Sequence, residues 1–496
     1  MNKLQKIRAG HVSRFPSYPQ HDKKRVNAFL YKNTDGAWII ETEKHETFSV
    51  RSHAEFARIS AQGKMHVYIN DINDYPWLSD AVADKQATPQ VSRTRGLSGI
   101  NFKVTGILCH GRLCSAQSWG ADADDPVTQD FLTALREVSS RYADTDETTP
   151  AALGTAKLVK TLHGRRASRD SVMLRTRLLD HRAGGRSDTP AIKQHFAEAW
   201  EEDRNNAYAS ESKSVPGAFG ESPIVFGSEH SYFKVENEFL EEFPTYFALA
   251  TIFIPENVPT PAFGPIWERD DFSHLLAWPT EAGRIISGWW WKEELDCARE
   301  CNWSVIVHGG YGWRTMGTWM TEWADETTAM RRTFENEGKK VQAGMMKLVT
   351  TATIGMFSRS PETLSLISSH ESTNDDLPLC VQNARTGKGP LSPYCIHVEE
   401  CMDKPLLTHV GAYIVMKMRV ALWKRAMANV AAGIRVLATN YDSILTETPS
   451  PLPHSQETGD WKEKRLTKVY LPYPRAIECA EKQKLPGKPK KLRKTG

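Results

Sequence analysis

A chain of 496 residues exceeds what one hydrophobic core supports, roughly 250 to 300 residues, and is therefore organised in several domains rather than as a small binding module. Its 63 Lys and Arg against 60 Asp and Glu leave a net charge of +3, which excludes a uniformly basic surface and confines any nucleic-acid affinity to local patches. The longest apolar stretch, 246–254, is too short to cross a bilayer, and residues 1–8 lack the apolar core of a leader, so a soluble, reducing, cytoplasmic setting is expected.

In chain order, 28–31 and 38–40 are short β-type runs, 53–60 has helical spacing, and 66–69 reads as a buried strand, an α/β pattern. Acidic stretches at 122–125 and 144–147 flank an amphipathic helix at 128–142, which places a domain boundary near 150. Beyond it Lys157, Lys160, Arg165, Arg166, Arg169, Arg175, Arg177, Arg182 and Arg186 face only Asp170 and Asp180. That basic stripe reads either as a phosphate contact or as a solvated charged face. From 211 to 290 the chain is Pro-rich and strand-like. Helical blocks are predicted at 289–301 and 319–357, the second broken at 336–338, where a glycine lets two antiparallel helices meet. A loop-rich stretch with room for a hairpin, 358–404, precedes helical spacing at 405–429 and a strand-turn-strand at 433–445. The Lys-rich tail at 482–494 is expected to be disordered, a solvated segment or one that tracks DNA or a protein partner.

Eight cysteines form no C-x-x-C pair. Cys109, His110 and Cys114, or Cys395, His397 and Cys401, lack the two spaced pairs of a zinc site, and reduced thiols are the reading.

The chemistry concentrates in three segments. Asn440-Tyr441-Asp442-Ser443-Ile444 follows the apolar run 434–438 and sets one carboxylate on a tight turn, although Asn, Asp and Ser are also ordinary turn residues. Glu202-Asp203-Arg204-Asn205-Asn206-Ala207-Tyr208 supplies a second carboxylate. Two-metal phosphoryl transfer needs such a pair on adjacent rigid elements, bridging ions roughly 3.5 to 4 Å apart. Lys347, in Gly344-Met345-Met346-Lys347-Leu348, shares nearly one helical face with Lys340 and suits a triphosphate, where the plain alternative is two exposed helix lysines.

In this order the segments resemble the motifs of family B DNA polymerases. Asp203 to Tyr208 is similar to the first palm motif, Lys347-Leu348 with Gly355 to the fingers motif, and Thr439 to Ile444 to the second palm motif. Arg182-Ala183-Gly184-Gly185 resembles the Tyr-x-Gly-Gly template loop of the protein-primed subgroup of small bacteriophages and linear plasmids. Lys468-Val469-Tyr470 resembles its Lys-x-Tyr primer motif, and Pro223-Ile224-Val225-Phe226 is similar to the stretch after the first palm motif.

The resemblance implies an α+β right-hand polymerase with palm, fingers and a reduced thumb, behind a degenerate RNase H-like exonuclease domain. Its expected segments are 1–150 exonuclease-like, 151–194 basic connector, 195–290 first palm part, 291–357 fingers, 358–404 hairpin insertion, 405–470 second palm part, and 471–496 thumb and tail. It implies a DNA-directed DNA polymerase of viral or plasmid replication. Asp203 and Asp442 would be the catalytic residues on two Mg²⁺ or Mn²⁺ ions, Tyr208, Lys340 and Lys347 would bind nucleotide, and Arg182, Gly184, Gly185, Lys468 and Tyr470 would bind DNA. The implied partners are template and primer DNA, dNTPs and a terminal protein, with the chain acting as a monomer away from membranes, in the host cytoplasm if viral.

Departures from the family pattern define the other reading, a catalytically impaired nucleic-acid-binding derivative. Asn440 stands where the family has an aspartate, Tyr441 where it has Thr, and Thr351 and Ile354 where it has Asn and Tyr. Upstream, Asn70-Asp71-Ile72-Asn73-Asp74 is similar to the second exonuclease motif, with Asn70 and Asp74 in the matching places. Arg14-Phe15-Pro16 lies where an Asp-x-Glu is expected, and Leu135 where a further aspartate is expected. Editing needs its own carboxylate cluster, so loss of proofreading is expected. A nuclease built on Asp71 and Asp74 is the weakest reading.

Overall fold

The structure, a computed structural model, describes residues 26–70, 72–83, 87–92, 96–103, 110–121, 129–143, 149–163, 170–181, 184–228, 234–269, 276–357, 362–368, 394–400, 407–472 and 476–479. Arg14 to Pro16, Asp71, Arg165, Arg166, Arg169, Arg182, Cys109, Cys401 and the 482–494 tail lie outside them.

In chain order the strands are β1 Val26–Lys32, β2 Trp38–Thr42, β3 Thr47–Val50, β4 Met65–Ile69, β5 Ala87–Ser92, β6 Gly96–Lys103, β7 His110–Ser115, β8 Ser187–Asp188, β9 His195–Arg204, β10 Val215–Pro216, β11 Ile224–Gly227, β12 Thr245–Phe253, β13 Glu268–Arg269, β14 Leu276–Ala277, β15 Ile285–Trp291, β16 Ser304–Trp313, β17 Met316–Gly317, β18 Glu362–Ser368, β19 Tyr394–Glu400, β20 Val436–Asn440, β21 Ser443–Thr446 and β22 Trp461–Tyr470. The helices are α1 His53–Gln62, α2 Leu78–Ala83, α3 Gln129–Tyr142, α4 Pro150–Thr161, α5 Val172–Asp180, α6 Ala207–Ser212, α7 Asn237–Leu240, α8 Lys292–Glu300, α9 Thr321–Asn336, α10 Lys340–Phe357 and α11 Thr408–Ala431. They fall into two units, Met1–Arg166 with Ala329–Leu406, and Ala167–Thr328 with Leu407–Gly496.

The first unit is built on a seven-stranded sheet, order β3-β2-β1-β4-β7-β6-β5, in which β4 runs parallel to both β1 and β7. All five residues of β4 are buried, as a central parallel strand covered on both faces requires. Phe56, Val67, Ile69, Phe102 and Leu113 pack on one face, and Phe29, Tyr68, Leu132, Leu135, Met346 and Val349 on the other. The break between α9 and α10 falls at Gly338, which takes φ +73°, a conformation glycine adopts freely. Beside it Arg141 grips Glu337 at 2.7 Å and Lys339 reaches Glu137 at 2.6 Å.

The second unit contains two main sheets. In the five-stranded one, order β22-β9-β21-β20-β8, every neighbour is antiparallel. Leu422, Trp423 and Ala426 of α11 cluster with Val436 and Ile444 on one face, while Ala199, Leu437, Leu445, Leu466 and Val469 form a separate cluster. The four-stranded sheet, order β11-β16-β12-β15, buries Trp290 in one cluster and Trp289 and Trp291 in another.

Two expectations change here. The helix expected from 289 starts only at Lys292, because Trp289 to Trp291 end β15. A run buried on both faces of a sheet has no alternation to distinguish it from a buried helix. The basic stripe is also not one exposed face. Arg175 is buried, and Arg186 lies wholly buried between Asp188, at 2.5 Å, the carbonyl of Gly264, at 2.7 Å, and the Trp278 ring.

Candidate active site

The site grows from strand pairing. Asp203, next to last in β9, is the cross-strand partner of Ser443, the first residue of β21. Asp442 precedes Ser443, and its carbonyl accepts the main-chain N–H of Arg204 at 3.0 Å. Backbone hydrogen bonds thereby tie Asp203 on β9 to the turn that carries Asp442.

The turn that carries Asp442 is strained. Its main-chain N–H bonds the carbonyl of Asn440 at 2.7 Å across Tyr441, which takes φ +56°. A bond from residue i+2 to residue i around a positive φ marks the rarer γ-turn, and such backbone costs on the order of 1 to 3 kcal/mol. Neighbours hold it. The N–H of Tyr441 donates to the carbonyl of Arg186 at 2.8 Å, and its ring lies against Gly185, where a Cβ would collide with Cδ1. Gly184 is exposed, and its carbonyl accepts from Nη1 of Arg419 at 3.0 Å. Arg419 is itself buried in an ion pair with Glu294, at 2.7 Å.

Tyr208 sits in the first turn of α6. Burial, then the nearby Asp442 carboxylate, pushes its phenol up to about 12. It therefore stays neutral at physiological pH. Lys468 is exposed and takes φ +52°, and Leu466 and Val469 on either side of it are both buried in one cluster. The Tyr470 ring stacks on His195 with centroids 4.1 Å apart and planes 8° apart.

Lys340 and Lys347 are both exposed on α10, in the first unit, whereas Asp203, Asp442, Tyr208, Gly184, Gly185, Lys468 and Tyr470 are in the second. Ile354, expected at a fingers position, is buried at 2% exposure.

Sequence reasoning missed three parts of the site. Lys462 of β22 is the cross-strand partner of Asp203 on the side opposite Ser443, and its ammonium lies 2.7 Å from Oδ2. Glu202, wholly buried on the α11 side of β9, is held by Arg425, by Asn429 and by His454 at 2.9 Å. Arg419 ties the Gly184 loop to Glu294. Each partner lies far off in sequence, so no local signal marked them.

The donor set is oxygen-only and suits a hard divalent ion. Asn440 Oδ1 and Ser187 Oγ, a cross-strand pair at the foot of the turn, are buried without hydrogen-bond partners. Such orphaned acceptors beside two carboxylates fit a cation such as Mg²⁺. Among the described residues no group of three His, Cys, Asp or Glu side chains converges, so the acidic part of this site is the aspartate pair.

These features define the class: an α+β fold of the right-hand polymerase type, with a mixed sheet of RNase H-like order in its first unit. The particular likeness is to phi29 DNA polymerase. Its ternary complex with primer-template DNA and incoming nucleotide substrates matches with a TM-score of 0.65 at 13% identity, covering 92% of this chain and 87% of that one. The binary complex with primer-template DNA gives 0.64 at 14% identity, with the same coverage. The orthorhombic crystal form gives 0.62 at 14% identity, covering 90% and 86%. The fold thus agrees with the resemblance carried by the motifs. No protein-family model matches the sequence, and no curated protein matches it.

Proposed function

We propose that the chain is a DNA-directed DNA polymerase that transfers nucleotides from dNTPs to a primer hydroxyl on a DNA template, in the replication of a viral or plasmid element. The carrying observation is that Asp203 on β9 and Asp442 in the adjoining β20–β21 turn are joined through the backbone, by Asp203 opposite Ser443 and by Arg204 N–H to the Asp442 carbonyl, within a fold like that of phi29 DNA polymerase. The palm is assigned to the five-stranded sheet with α11, and the fingers to the region of α9 and α10.

Asp203 and Asp442 would hold Mg²⁺, which would neutralise phosphate charge and stabilise the attacking and leaving oxygens. The rest is positioning. Tyr208, neutral and fixed beside Asp442, bounds the floor under the incoming sugar and excludes a 2′-hydroxyl. Lys340 and Lys347 present two ammoniums to the triphosphate. Arg182, Gly184 and Gly185 form the template loop, whose glycines admit close backbone approach. Lys468 and Tyr470 steady the primer end, Tyr470 with its ring fixed by His195. DNA template, primer and dNTPs are the partners, a terminal protein is a candidate source of the priming hydroxyl, and the chain acts as a monomer.

Proofreading is proposed to be lost. β4 lies between β1, Val-Asn-Ala-Phe-Leu-Tyr-Lys, and β7, His-Gly-Arg-Leu-Cys-Ser, neither of which offers a carboxylate, and Leu135 of α3 is buried in the core. Among the described residues no group of three His, Cys, Asp or Glu side chains gathers there, and editing needs such a carboxylate cluster.

Primer extension with the purified chain, dNTPs and Mg²⁺ tests the proposal. Extension abolished by Asp203→Asn and by Asp442→Asn is expected. Salt-sensitive DNA binding without incorporation under Mg²⁺ or Mn²⁺ would replace it with the impaired nucleic-acid-binding derivative, to which the neutral Asn440 points.

A further inference from the structure

We propose that Lys462 is a resident cation of the site, so that Asp203 and Asp442 bind one divalent ion and the lysine ammonium stands in for a second. The inference rests on the polymerase reading and narrows it.

Three observations carry it. The first is that Lys462 meets Asp203 by strand register. The pairing runs without interruption from Trp461 opposite Arg204 to Thr467 opposite Glu198, placing Lys462 directly across from Asp203 with Nζ 2.7 Å from Oδ2. The contact is set by backbone hydrogen bonds on both sides of it rather than by the reach of a flexible side chain alone. The second is that the competing cation nearest in sequence is engaged elsewhere: the Arg204 guanidinium pairs with Glu211 and donates through Nε to the carbonyl of Gly459 at 2.8 Å. The third is the charge of the donor set. With Asn440 neutral, two carboxylates and one ammonium leave a single net negative charge, and among the described residues no third acidic side chain joins them.

The electrostatic consequence follows from Coulomb's law. Two divalent ions a few ångströms apart repel strongly and need several anionic ligands to share a site. This pair of aspartates, one already neutralised by an ammonium, supports one. Asn440 Oδ1 and Ser187 Oγ lie on the Asp442 side of the turn, away from β22, so the neutral oxygen donors and the lysine flank the aspartate pair from opposite sides. Asp442 and Asp203 would accordingly hold the ion, while the ammonium stays on Oδ2 of Asp203. Neutralising Asp203 by an ammonium demands no exchange of ligands or water, so this part of the charge compensation does not depend on metal concentration.

Titration of the full chain with Mn²⁺ alone, followed by electron paramagnetic resonance, counts the ions, with melting temperatures recorded alongside. One site is expected in the unmodified chain, removed by Asp442→Asn. Lys462→Met is expected to admit a second ion or to tighten the first by about 10- to 100-fold, as loss of a neighbouring positive charge predicts. Lys462→Arg, which keeps charge and strand pairing, is expected to behave as the unmodified chain. Two Mn²⁺ sites in the unmodified chain, both lost in Asp203→Asn and Asp442→Asn, would overturn the role of Lys462 while leaving the polymerase reading intact. Unchanged count and affinity in a folded Lys462→Met would do the same. Mn²⁺ binding that neither aspartate substitution alters would overturn both.

Discussion

The main-chain N–H of Arg204 donates to the carbonyl of Asp442 at 3.0 Å, and this one bond sets the distance between the two candidate catalytic aspartates by backbone geometry. The two residues are therefore brought near each other by the backbone itself. Isosteric removal of either charge leaves the strand pairing intact. Asp203→Asn and Asp442→Asn should each lower nucleotide incorporation on the order of 10³-fold or more, with a melting temperature close to that of the unmodified chain.

Gly185 and Gly184 should behave as opposites. A methyl at Gly185 meets the Tyr441 ring, and forcing it in is expected to cost about 1 to 3 kcal/mol and to disturb the turn. A methyl at Gly184 meets nothing within 4 Å, so a change within about 0.5 kcal/mol is expected. Denaturant melts of Gly185→Ala and Gly184→Ala make the comparison.

Glu202 and Arg425 are buried partners immediately behind Asp203. Arg425→Met strands the Glu202 carboxylate and should destabilise the second unit by about 3 to 5 kcal/mol. Glu202→Leu combined with Arg425→Met should recover part of that loss, since the uncompensated charge is gone. A double-mutant cycle on unfolding free energy reads the coupling, and additive losses would count against it.

Tyr208→Val removes the ring from beneath the expected sugar position. Discrimination between dNTP and rNTP should fall by about 10- to 100-fold, a difference on the scale of one lost packing contact, while dNTP incorporation persists. Single-nucleotide insertion kinetics with matched dNTP and rNTP pairs measure it.

Glu337 supplies a pH dependence of known sign. Arg141 first, then Lys339, hold its carboxyl down to about 2. A carboxyl depressed in the folded state stabilises fully above its unfolded value, near 4.3, and loses that contribution as pH falls towards 2. The stability gap between the unmodified chain and Glu337→Gln should therefore be constant at neutral pH and close between about pH 5 and 2. Equilibrium unfolding across that range tests it.

Local signals in the sequence marked much of this architecture. Gly338 announced the corner between α9 and α10, the apolar run before Asn440 announced β20, and the spacing of 53–60 announced α1. The aspartate pair was legible because each half lies in a short contiguous segment. What was not legible depends on partners distant along the chain. Arg186 looked like part of an exposed stripe, yet Trp278, Gly264 and Asp188 enclose it. Lys462 carried no mark of its partnership, because the register of β22 on β9 is decided by the whole length of both strands. Trp289 to Trp291 were misread as helix since tertiary burial on two faces erased the strand period.

The order β22-β9-β21-β20-β8 seats the last described strand beside one formed hundreds of residues earlier. Asp203 lies between β21 and β22, both of which follow it in the chain by a long stretch of sequence. A nascent chain thus cannot close this sheet until β22 has been made, and the closure is long-range, of the kind that slows folding. Prematurely terminated products would carry the first aspartate exposed on an open sheet edge, a surface for chaperones rather than for DNA.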